Sequence, residues 1–254
     1  MSSFLALVKK EISSYFLSPI AYVVLTVFLL LSGYFFFSLT AEFNIQSMHY
    51  MRYQGAGGVP EISVNNVIIR PLFYNMSIVL LLIVPLFTMR MYAEEKKSGT
   101  LELLKTGPVS NTSLTLAKYL GSLAVFLIML VLTAFYPVIL SFFGNPDIGP
   151  IATGYLGLAL MGGVFIAVGS LVSSFTENQI IAAVATFGTL LLLWVISWAK
   201  HFVGPVFGEI LSYFSIIEHY ADFAKGIVDT KDVIFYLTFM AGLLFLTRQS
   251  LEMN

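Results

Sequence analysis

Apolar residues gather in six long runs, 20–39, 72–91, 114–140, 151–172, 180–198 and 233–247, separated by polar or mixed stretches. About 20 apolar residues in helix cross a hydrocarbon core of about 30 Å, so each run reads as a membrane span. The sixth is the shortest. It is expected to tilt little, or to rely on Asp232 and Arg248 reaching out to the interfaces. Trp194 and Trp198 close the fifth run, where an aromatic belt would place them.

Ahead of the first run, residues 2–17 follow a helical rather than a uniformly apolar pattern. At 100° per residue Phe4, Leu5, Val8, Ile12, Tyr15 and Phe16 fall on one side, and Lys9, Lys10, Ser13 and Ser14 on the other. That is the pattern of a helix lying in the headgroup plane; the plainer alternative is an N-terminal tail leading into a span. Pro19 breaks it, since proline cannot continue the hydrogen-bond ladder. Residues 1–17 lack the form of a cleavable leader, so the first run is expected to stay in place as an anchor.

Two intervening segments are too long for simple turns. Residues 41–70 are polar around Gly55-Ala56-Gly57-Gly58, whereas 199–232 remain apolar and aromatic but are broken by Gly204, Pro205 and Gly208. The second suits two short helices entering the outer leaflet, with protein burying their ends. The fourth span carries Ala159, Gly163 and Ala167 four apart, with Gly162 and Gly169 adding small surface. Such a row serves close packing, either within one chain or against a partner subunit. Pro85 and Pro137 inside the second and third spans serve as hinges or as packing elements.

Composition agrees with a lipid environment. The chain of 254 residues is 58% hydrophobic and 11% charged, against roughly 25% charged in soluble domains. A net charge of −1 excludes a broad basic surface and hence nucleic acid as a partner. With no cysteine, disulfides, thiolate metal sites and cysteine nucleophiles are excluded. Placing the N-terminus inside puts Lys9, Lys10, Arg90, Lys96, Lys97, Lys105, Lys118 and Arg248 on the inner side, and Arg52, Arg70, Lys200, Lys225 and Lys231 outside. By the positive-inside rule both termini are then cytoplasmic.

Catalytic patterns are missing. There is no GxxxxGK[ST] phosphate loop, HExxH or GxSxG. Glu218, His219 and Asp222 lie at helical spacing, but without a second nearby histidine they read as a polar face before they read as a metal site. No charged residue stands at the centre of a span, as proton relays and intramembrane hydrolases require.

Most of the distinctive chemistry falls in residues 88–113, TMRMYAEEKKSGTLELLKTGPVSNTS. Residues 99–106 are expected to form a helix of two turns from Gly99. Ser98 or Thr100 caps it, Glu102 lies in the first turn and Lys105 in the last, matching the helix dipole. Gly107 suits a left-handed stop, Pro108 forbids continuation, and Ser110 caps the helix that follows. Leu101, Leu103 and Leu104 offer apolar surface on a helix too short to persist alone. With Glu94, Glu95, Lys96 and Lys97 as a charged rim, this reads as an apolar knob for a small protein interface; the alternative is a turn packed on its own spans.

Arg90, Glu94-Glu95-Lys96-Lys97-Ser98-Gly99-Thr100, Glu102-Leu103-Leu104 and Pro108-Val109-Ser110, in this order, resemble the signature of the membrane subunits of type-2 ABC transporters, most nearly the gliding-motility (Gld-type) permease branch. The resemblance implies one permease domain over 1–254, an all-α membrane fold of six spans. Residues 1–19 would be the interfacial elbow helix (Phe4, Leu5, Val8, Lys9, Lys10 and Ile12), 92–113 the cytoplasmic coupling loop, and 199–232 the re-entrant outer helices. It further implies a non-catalytic subunit of an exporter in the bacterial inner membrane. Two copies of a separate ABC ATPase, which binds the ATP and magnesium, would receive the coupling helix. The permease would pair with itself or with a homologous permease, one possibility being a homologue with a periplasmic domain. A scaffold that transmits ATPase force to surface machinery without carrying a substrate is the alternative.

Overall fold

Every described element is helical, as long apolar runs without strand alternation require. The computed structural model describes residues 3–53, 63–106, 110–199 and 204–253. The helices are α1 Ser3–Leu17, α2 Pro19–Tyr53, α3 Arg70–Thr88 after a π-helical turn Asn65–Ile69, α4 Arg90–Lys97, α5 Thr100–Thr106, α6 Asn111–Thr133 and α7 Phe135–Phe143. They continue as α8 Ile148–Phe175, α9 Gln179–Ala199, α10 Pro205–Phe214, α11 Ile216–Phe223 and α12 Thr230–Met253. Six stretches are long and apolar enough to cross a membrane: Pro19–Tyr50, Asn65–Lys97, Asn111–Phe143, Ile148–Phe175, Gln179–Ile196 and Thr230–Met253. The segment around Gly55–Gly58, Lys200 and His201, and the stop at Gly107-Pro108 lie outside the described residues.

α8 is the hub. Its apolar window is 72% buried, against 17% for those of α2 and α9 on the rim. Small residues explain this position. A side chain at Gly154 would strike Phe73 of α3, one at Gly162 would strike Phe126 of α6, and one at Gly169 would strike Thr88. At Gly163 it would meet Met240 of α12 and Tyr119 of α6. Gly163 and Ala167 are buried and Ala159 is half-buried, so this row packs the chain's own helices together.

The boundaries differ from the expected ones where proline or a polar side chain intervenes. The second span runs on to Lys97 with a bend at Met89, where the Ser173 hydroxyl of α8 donates to the Met89 carbonyl and accepts from the Tyr92 and Ala93 amides. Backbone groups left open by the bend are thereby satisfied. The third span breaks at Ala134, just where the Pro137 ring crowds the carbonyl four residues back. The sixth is not short: α12 has 24 residues, about 36 Å of helix. Asp232, in the first turn of α12, is buried against His219, and Arg248 pairs with Glu252. Charges at both ends of α12 make its apolar core read shorter than the helix.

Between α9 and α12, α10 and α11 form the expected two short helices. Ser215 caps α11 by accepting from the Glu218 amide.

Candidate functional site

The α4–α5 turn is built by its own residues. The Ser98 amide donates to the Glu94 carbonyl and the Gly99 amide to the Lys96 carbonyl, closing α4. Gly99 then takes φ +69°, a left-handed conformation that side chains rarely adopt. Gly99 is therefore the reversal between two helices and not the first residue of the second, which starts at Thr100. The Thr100 hydroxyl contacts that of Ser98 at 2.9 Å and donates to the Glu95 carbonyl. Ser110 caps α6 by accepting from the Ser113 amide, as its position implies.

The leucines turn the other way from the sequence expectation. Leu101 is 4% exposed and packs with Met91, Tyr92, Leu114 and Leu251, with Leu104 half-buried against them. The apolar knob is thus a foot resting on the ends of α4, α6 and α12; the Leu103 side chain lies outside the described residues. A two-turn helix needs such tertiary support, and here its own chain supplies it. Among the described residues of this turn and helix, the exposed ones are Lys97, Ser98, Gly99, Thr100 and Glu102.

The charged rim also divides. Glu94 takes a bidentate bond from Arg90 (2.6 and 2.7 Å), whose remaining nitrogen donates to the Ser18 hydroxyl at 2.8 Å. Glu95 turns inward to Lys118, with Nζ at 2.9 Å from one oxygen and 3.3 Å from Glu11 of α1. Lys118 is 2% exposed and stands 5.4 Å over the Tyr92 ring. Lys10 flanks both carboxylates at 3.7 and 3.9 Å. A cation so buried needs its two anions, since an unpaired charge in an apolar interior costs several kcal/mol.

This cluster fixes α1. The helix lies so close on α6 that a side chain at Gly121 would press on Glu11 at 2.7 Å. The Tyr15 hydroxyl meets that of Ser122 at 2.8 Å, and burial pushes the Tyr15 phenol well up from its ordinary value, so it stays neutral. Phe4, Val8 and Ile12 are half-buried while Leu5, Lys9 and Lys10 are exposed. Glu11 thus sits inward at the edge of the apolar face, beside Phe4 and Tyr15 on a helical wheel, and a lone acid there was the signal. Lys118, in a run of apolar residues, and Ser173, an ordinary-looking small residue, gave less.

At the opposite end of α12, His219 places Nδ1 2.7 Å from an Asp232 oxygen and Nε2 2.9 Å from the Tyr213 carbonyl. Both ring nitrogens face oxygens. Asp222 instead takes Lys225 at 2.8 Å, so the Glu218–His219–Asp222 set does not converge. Among the described residues no group of three or more histidine, aspartate or glutamate side chains could hold a metal ion.

No curated protein matches the chain. The family described as ABC-2 family transporter protein matches residues 39–246, which takes in α3 through the turn, the hub α8 and most of α12, without a branch being distinguished. The chain belongs to the ABC-2 transporter family, as a multi-pass, non-catalytic membrane subunit of the kind that works with an ABC ATPase.

Proposed function

We propose that this chain is the permease of an ATP-driven exporter in the bacterial inner membrane, with α5 and the turn before it docking on a separate ATPase. The observation that carries this reading is the two-sided anchoring of α5. Leu101 and Leu104 hold it to the ends of three spans, while Lys97, Ser98, Gly99, Thr100 and Glu102 stay free for contact. A push on the polar tip is delivered to α4, α6 and α12 together. Through Glu95 and Lys118 it also reaches Glu11 on the elbow helix.

Each of two permeases, identical or homologous, receives one ATPase, and both termini lie in the cytoplasm. The rim helices α2 and α9 supply apolar surface for a second permease or for lipid: Tyr22, Leu30, Phe37, Ile180 and Leu192 are each more than half exposed. ATP and magnesium are the partner's, since the chain has no phosphate loop.

The test is co-purification with a co-expressed ABC ATPase that the unaltered chain retains. Glu102→Lys with Thr100→Arg reverses the charge and bulk of the tip without touching Leu101, so it should abolish co-purification while membrane insertion and thermal stability persist. Retained co-purification overturns the docking assignment. The scaffold reading, including service to a gliding apparatus, draws on one observation. Of the buried charged side chains of the described residues, Glu11 lies on α1 outside the spans, Lys118 in the first third of α6 and Asp232 in the first turn of α12, and none stands at a span's centre. Reconstituted ATPase-dependent lipid or solute movement would exclude it.

A further inference from the structure

A cavity of about 780 Å³ opens between α1, the start of α2 and the α3–α4 bend. Its walls carry both charge signs, Arg90 and Lys118 against Glu11, Glu94 and Glu95. Tyr15, Ala21 and Phe87 also line an adjoining slot between α2 and α6, whose other walls include Phe16, Val24, Phe126 and Met129. The chamber sets a cluster of charges among mainly apolar walls and is in the size range of small-ligand sites. The slot encloses only about 40 Å³, so it is a surface groove along which a chain can lie without being enclosed, and the pair matches an amphiphile with its head in the chamber.

The charges in the chamber have different duties. Lys118 is enclosed by Glu11 and Glu95 and holds the fold. Arg90 and Glu94 remain reachable, their side chains 31% and 45% exposed. They set a guanidinium and a carboxylate side by side, with Ser18 steadying the first. A head group of one sign would meet an equal and opposing charge there. A head group carrying a phosphate and an N–H-bearing ammonium meets both favourably, phosphate on Arg90 and ammonium on Glu94, each as a charge-assisted hydrogen bond.

We infer that this chamber binds a bilayer phospholipid with a zwitterionic, amine-bearing head group, phosphatidylethanolamine in its simplest form, with one acyl chain along the slot. The site requires these helices to lie in a bilayer; Ser98 and Thr100 of the proposed docking tip also line the chamber, so lipid binding is measured on the chain without an ATPase.

Native mass spectrometry of the full chain tests it, with equimolar phosphatidylethanolamine, phosphatidylcholine and phosphatidylglycerol of matched acyl chains. Phosphatidylethanolamine should be retained about tenfold over phosphatidylglycerol, the scale of one charge-assisted hydrogen bond. Glu94→Gln should erase its advantage over phosphatidylcholine, which lacks N–H donors. Ala21→Trp, which fills the junction of chamber and slot, should reduce retention of all three lipids. Thermal unfolding and size-exclusion profiles check that both variants fold. Equal retention of the three lipids by the unaltered protein, or an unchanged preference in Glu94→Gln, overturns the inference; the first needs no variant.

Discussion

At the α5 end of the bundle, Lys118 is bracketed by carboxylates from two other helices, one of them Glu11, 107 residues away in sequence, beside a cavity of about 780 Å³. At the opposite end, about 28 Å along α12 from Leu251 at 1.5 Å per residue, His219 and Asp232 meet across 13 residues of sequence. There Phe235 stacks on the imidazole at 3.9 Å, with Tyr213 and Tyr236 edge-on. The first site ties an outer helix to the bundle through charges next to an open chamber. The second joins neighbouring elements under a lid of rings. The α5 end is thus clamped by charge across three helices, and the α10–α11 end by a local pair packed under rings.

The largest effect should come from Lys118→Met. It leaves Glu11 and Glu95 with only the half-exposed Lys10 for a cation and should cost about 3 kcal/mol, the low end of the range for breaking a buried ion pair, read as a fall in thermal unfolding temperature. Adding Glu11→Gln and Glu95→Gln should restore most of it; no recovery would mean the cluster is packing rather than charge.

Asp232→Asn comes next. The amide can still accept from one ring nitrogen, but the pair loses its charge, and a buried charge-assisted bond is worth about 1.5–3 kcal/mol. A loss matching that of Lys118→Met would break the contrast between a three-helix clamp and a local pair.

The two left-handed glycines sharpen it further. Gly99 and Gly226 stand at the two ends with φ +69° and +95°. A side chain at Gly99 meets nothing within 4 Å, whereas one at Gly226 meets Pro150 at 3.0 Å. Gly99→Ala should therefore cost about 1 kcal/mol of conformational strain, and Gly226→Ala about twice that once the contact is added. Denaturant or thermal curves on both variants decide the order. The smallest effect should be that of Glu102→Lys, within about 0.5 kcal/mol, as for an exposed side chain away from any packed feature.

How much of this was legible depended on whether a residue's role was local. The six spans follow from apolar runs. The two short helices α10 and α11 follow from Gly204, Pro205 and Gly208, and the cap at Ser110 from its spacing to Ser113. The direction of α5 did not, because a leucine pair on two turns of helix suits an outside socket or the chain's own span ends equally well. Glu95 was grouped with its neighbours as a rim, and only Lys118, on another helix, separates it from Glu94. His219 was grouped with Asp222 by helical spacing, while its partner Asp232 lies beyond a turn.

The amino-acid pattern alone determined which segments are long and apolar enough to enter the bilayer and where the chain turns back. Those outcomes depend on hydropathy, proline, glycine and motif content, all summed over neighbours in sequence. The tertiary structure decided that α8 is the hub, that α5 stands on its own chain through Leu101 and Leu104, and that charge is buried at both ends of the bundle. Those outcomes depend on which side chain meets which across helices, and contact energies between distant residues leave no periodic trace in the chain that carries them.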